Sequence, residues 1–105
     1  MNQSSRCARE VAILRTLVSL AEHRDARLAG AVHALRTHRW SDEENRVVYE
    51  CLRSTSRGTV TALREEMAAE AVRAGHPDVE WGLYFGAPSA ELDVLEAIRN
   101  LNNTP

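Results

Sequence analysis

The chain reads as an all-α protein, a compact bundle of about five helices plus one short helical turn, forming a single domain over residues 1–105. Three observations predict this. Apolar residues recur every three or four positions in successive segments, which is the helical period. These segments are separated by residues that cap or stop helices. The one stretch that resembles a strand, residues 78–86, has no partner, because no other part of the chain alternates with period two. A domain of 105 residues buries about two thirds of the surface of its unfolded chain, enough to fold without metal or disulfide help.

The first helix is expected over residues 6–22, with Ser4 or Ser5 as its cap and a wide apolar face from Cys7, Val11, Leu14 and Val18 joined by Ile13, Leu17 and Leu20. His23 and Arg24 suit the negative end of its dipole, and Asp25 can cap a second helix over 26–36 carrying Leu28, Val32 and Leu35. The central helix, 42–54, is the element around which the chain is organised. Ser41 is its expected N-cap, with Glu44 reaching back to complete a capping box. Val48, Cys51 and Leu52, with Val47 beside them, point inward, Glu50 and Arg53 point outward, and Trp40 folds onto the stripe as a core residue.

Residues 54–58 read as a loop, after which Thr59 or Thr61 opens a helix lined by Val60, Leu63, Met67, Ala71 and Ala74. Gly75 is placed to end it in the left-handed conformation, with Pro77 just beyond. Within 78–86 a short helical turn sets Trp81 and Phe85 four residues apart on one side. Pro88 and Ser89 start a last helix over 90–100, with Val94, Leu95, Ile98 and Leu101 apolar, and residues 102–105 fray.

Net charge is −2, so no overall field draws the chain to nucleic acid or an anionic membrane. Residues 1–57 carry ten Arg and seven acids, whereas 58–105 carry three Arg and eight acids. All basic residues are Arg, scattered in a way that suits codon usage better than a binding site. Cys7 and Cys51 are isolated thiols, expected buried in a reducing cytoplasm. The first helix is interrupted by Arg15 and Ser19, which argues against a membrane span or signal core.

The order of these elements resembles the N-terminal domain of the replicative helicase DnaB and the related helical domain at the C-terminus of bacterial primase. The resemblance covers residues 8–86. It is carried by the early Glu10 before Val11-Ala12-Ile13-Leu14, the aromatic Trp40, the run Asn45-Arg46-Val47-Val48-Tyr49, then Leu63-Arg64-Glu65 and the stop at Gly75-His76-Pro77-Asp78. It implies an all-helical module that binds proteins. The phosphate-binding loop of the helicase, GxxxxGK[ST], is missing, so ATP hydrolysis does not carry over and the chain reads as a stand-alone module.

No catalytic constellation, cofactor site or small-molecule site stands out. The four His and two Cys lack metal-ligand spacing, and both thiols lie on apolar stripes. The acids Asp42, Glu43 and Glu44 are explained by the helix dipole. The expected function is therefore that of a non-enzymatic protein-interaction module. Its partner is another protein or a second copy, a homodimer forming through the first helix or through Trp81, Tyr84 and Phe85, aromatic groups that serve either core or interface. The alternative is a DNA-binding or replication-accessory protein using Arg24, Arg27, Arg36 and Arg39.

Overall fold

In a computed structural model, residues 2–23, 25–54, 60–86 and 93–102 are described. They form α1 (Asn2–Glu22), α2 (Arg27–Ala34), α3 (Glu43–Ser54), α4 (Val60–Arg73), a 3-10 turn (Trp81–Leu83) and α5 (Val94–Asn102), with no strand among the described residues. The all-α architecture, including the helical turn in place of a strand, is as the periodicity predicts.

The wide apolar face of α1 explains its position. Ile13, Leu14, Leu17 and Val18 are completely enclosed because α5, α3 and α2 all pack on this one helix, while α4 packs on α3 and α2 touches α5. Each such side chain contributes about 1.5–3 kcal/mol of hydrophobic stabilisation. From the other helices the core receives Ala31 and Leu35, the stripe Val47, Val48, Cys51 and Leu52, then Leu63, Met67 and Ala71, and finally Val94, Ile98 and Leu101. Ala74 and Leu95, expected on the inner faces of their helices, are exposed. Among the described residues, no helix is long and apolar enough to cross a membrane.

The helix ends depart from expectation in instructive ways. α1 begins at Asn2, so Ser4 and Ser5 lie inside it and cannot cap it. Asp25 does serve the start of α2, its Oδ1 accepting from the Arg27 backbone N–H at 2.9 Å. At α3 the cap is Asp42, whose Oδ1 accepts from the Glu44 N–H at 2.8 Å. Ser41 is engaged elsewhere, and the expected capping box with Glu44 does not form.

Helix α4 closes as predicted. Gly75 has φ +90°, its N–H reaches the Val72 carbonyl, and the His76 N–H reaches that of Ala71, the paired bonds of a Schellman motif. Asp93 caps α5, which runs from Val94, by accepting from the Leu95 and Glu96 N–H groups. Asn102, expected to fray, is the last residue of α5. The expected loop over 55–58 and the helix starts at Thr59 and at Pro88 and Ser89 lie outside the described residues, as does the tail after Asn102.

Trp40 is a correction. The indole is only partly buried, lying edge-on to His38 (4.7 Å between ring centres) and tilted against Tyr49 (5.2 Å). The largest wholly enclosed side chains are instead Tyr49 and Tyr84. Both thiols are free, but only Cys51 is buried; Cys7 is intermediate.

Candidate functional site

The densest chemistry of the molecule is a polar cluster inside the bundle. Glu10 lies on the inward face of α1, one turn before Leu14, and its carboxylate has no solvent exposure. The segment 38–41, between α2 and α3, wraps around it. His38 Nε2 is 2.7 Å from Glu10 Oε2, and its side chain is 2% exposed. Ser41 donates twice, from its hydroxyl to Oε1 at 2.7 Å and from its backbone N–H to Oε2 at 3.1 Å. Asn45 Nδ2, from the first turn of α3, donates to Oε1 at 3.1 Å and also reaches Cys7 Sγ at 3.5 Å. A carboxylate is acceptor-only when ionised, and these donors together satisfy the lone pairs that burial would otherwise leave exposed to an apolar interior.

The cluster continues toward the 3-10 turn. Because the Asn45 amide nitrogen faces Glu10, its carbonyl must face the other way, and there the Tyr84 hydroxyl donates to Oδ1 at 2.7 Å. Glu44 Oε1 lies 3.0 Å from the same hydroxyl and accepts the Glu80 N–H at 3.4 Å. Burial, with the Glu44 carboxylate alongside, pushes the Tyr84 phenol far above its ordinary range. One connected set of hydrogen bonds therefore ties α1, the 38–41 segment, α3 and the aromatic turn together.

Glutamate, histidine and serine in contact invite comparison with a hydrolase triad. The order of contacts is wrong for that chemistry. In a triad the imidazole lies between hydroxyl and acid so that it can take the hydroxyl proton. Here the acid lies between, and Ser41 and His38 both address Glu10. What these contacts join is α1, the 38–41 segment and α3. Burial also raises the Cys51 thiol above its ordinary value, which keeps it protonated.

The turn that this cluster anchors contains the predicted aromatic residues. Tyr84 is 1% exposed and belongs to the core, so of the three it alone cannot meet a partner. Trp81 and Phe85 are partly buried and stacked, with ring centres 5.1 Å apart and planes 12° from parallel. Between them in sequence Leu83 is 42% exposed. Arg15 Nε donates to the Leu83 carbonyl at 2.8 Å. Arg64 Nε pairs with Glu22 at 2.7 Å while its guanidinium covers the Phe85 ring at 5.0 Å. A groove of about 220 Å³ opens between α1, α4 and the turn, lined mostly by the polar residues Ser19, Glu22, His23 and Arg64, with Val18, Phe85 and Gly86 completing it.

The predicted arginine cluster is less coherent. Arg24 lies outside the described residues. Arg27 is paired with Asp25 at 2.9 Å, and the neighbouring guanidinium holds that carboxyl down at about 2. Arg36 donates to the His33 carbonyl, and Arg39 is exposed. Among the described residues no group of three His, Cys, Asp or Glu could hold a metal ion.

Sequence reading missed the role of Glu10, Ser41 and Asn45. A signal was present: Cys7, Glu10, Leu14 and Leu17 follow one another at helical spacing on the inward face, as do Asn45, Val48 and Leu52. A carboxylate and an amide on two inward stripes are candidates to meet. Comparison with protein-family models, curated proteins and solved structures finds no match to this chain.

Proposed function

We propose that the chain is a helical protein-interaction module, of the kind the DnaB N-terminal domain represents, and that its contact face is the turn at 81–86. The observation that supports this most is Leu83. It is a large apolar side chain left 42% exposed, yet the turn carrying it is held by Arg15 on one side and by Tyr84, through Asn45 and Glu44, on the other. The same turn carries Trp81 and Phe85 with Arg15 and Arg64 against it, the aromatic and arginine composition of interface hot spots, and a pre-set backbone lowers the ordering cost of binding.

Affinity capture from cells, with the parent chain and with Leu83→Asp as bait, tests this. The expected result is a partner, or a second copy, retained by the parent and lost with the variant at unchanged thermal midpoint. The same captured set with both baits overturns it. The alternative, a nucleic-acid contact, rests on exposed Arg39 and has a different signature: binding to duplex or single-stranded DNA at low salt that fades at moderate salt.

A further inference from the structure

We infer that residues 38–41 form an acid-opened strap: Glu10 holds it closed, and a second proton on the Glu10–His38 pair releases it and lifts Trp40 off Tyr49. The geometry of the tether carries this. His38 and Ser41 flank Arg39 and Trp40, and both bind one carboxylate, His38 through Nε2 at 2.7 Å and Ser41 through its hydroxyl at 2.7 Å and its backbone N–H at 3.1 Å. Residues 38–42 belong to no helix. The Trp40 ring, between the two anchors, rests against Tyr49 with ring centres 5.2 Å apart. Releasing the one carboxylate frees both sides of the indole at once.

Acid is the trigger because of how the pair shares a hydrogen. His38 Nε2 and Glu10 Oε2 meet directly, with side chains 2% and 0% exposed, and one hydrogen fits between them. The contact holds whether the imidazole N–H donates to a carboxylate or a carboxyl O–H donates to the imidazole. When both groups are protonated, an N–H faces an O–H and the contact turns repulsive. Oε1 offers the second proton no open place, since the Ser41 hydroxyl and Asn45 Nδ2 already donate there. The other titratable and charged groups around the pair lie beyond these donors. Cys7 of α1 and Tyr84 of the turn each contact Asn45, Glu44 of α3 contacts Tyr84, Asp42 follows Ser41, and Arg9 and Arg39 are exposed. The rest of the junction does not share the trigger. The Tyr49 hydroxyl donates to the Val32 carbonyl at 2.7 Å, tying α2 to α3 through groups that do not titrate in acid, and Leu35 and Val48 are fully enclosed on either side of the strap. The opening is therefore local.

Acrylamide quenching of tryptophan fluorescence, followed beside far-UV dichroism as pH is lowered from about 7 to about 3, tests the inference. The sequence has two tryptophans, so the titration is run on the parent and on Trp81→Phe, in which Trp40 alone reports. The expected result is a reversible rise of about twofold or more in the quenching constant, complete before helical dichroism declines. His38→Gln should abolish the rise, because an amide can turn its carbonyl toward a protonated Glu10 and an imidazolium has only donors to offer. His33→Gln, at an exposed position, should leave the rise as in the parent. Quenching that stays flat, quenching and helicity that change together, or a full rise in His38→Gln overturns the inference. Should His38→Gln fail to fold, the first two outcomes in the parent still decide.

Discussion

The imidazole of His38 meets the carboxylate of Glu10 at 2.7 Å in a place where neither side chain touches solvent to any extent. Removing the imidazole takes one hydrogen-bond partner from a buried carboxylate that Ser41 and Asn45 still address, a loss of about 1–3 kcal/mol. His38→Ala should therefore lower the urea midpoint by that equivalent while far-UV dichroism retains its helical form at low denaturant. A change below about 0.5 kcal/mol, the level of an ordinary surface substitution, would show that the pair is not formed in solution.

Ser41 and Asp42 stand side by side and do different work. Asp42→Ala should remove a helix cap and cost about 1 kcal/mol, with Asn as a near-neutral replacement. Ser41→Ala should cost about 1–3 kcal/mol, because Glu10 Oε1 loses its closest donor inside the bundle. Gly at each position separates the two, since a cap tolerates Gly within a few tenths of a kcal/mol and a lost buried donor does not. Equal, small effects of all these changes in urea melts would contradict the assignment.

High pH offers a test without mutation. The sequence has two tyrosines, Tyr49 and Tyr84, and burial raises both phenols above their ordinary value of 10.0. The fold favours the protonated form, so this contribution to stability is complete below the ordinary value. It falls as pH climbs above it, because the unfolded chain releases its phenolic protons first. Phenolate absorbance should consequently appear late and together with loss of helical dichroism. A reversible titration near pH 10 with helicity intact would contradict the burial of both rings.

How much of this could be read from the sequence depended on whether the governing interaction was local. The stop at Gly75 and Pro77 is encoded within a few residues, and it appears in the structure as a Schellman turn with φ +90°. The pairing of Trp81 with Phe85 was legible for the same reason, four residues being one helical turn. Ser41 misled because a hydroxyl ahead of an acidic run is a sound cap locally, and only the approach of Glu10 from α1 turns it away. The position of Trp40 just ahead of the α3 stripe predicts a core ring, yet Tyr84 reaches the centre because its hydroxyl finds Asn45 and Glu44 there.

Trp40 supplies a graded prediction. Fully enclosed aromatic side chains cost about 3–5 kcal/mol on truncation to alanine, and this ring, partly exposed against His38 and Tyr49, should cost about 2. Tyr84→Ala should fall in the higher range. Urea melts that rank Trp40→Ala as the more damaging of the two would restore the indole to the centre of the core.

The central claim is that Glu10 and Tyr84, which do not touch, belong to one hydrogen-bonded unit through the Asn45 amide, and that this unit fixes the aromatic turn on α1 and α3. A double-mutant cycle of Glu10→Gln and Tyr84→Phe, followed by urea unfolding, tests it most directly. The account predicts a coupling energy of about 1 kcal/mol or more, because the first change frees Asn45 from the orientation that the second depends on. Additivity within about 0.3 kcal/mol would mean that the two ends are independent and that no such unit exists.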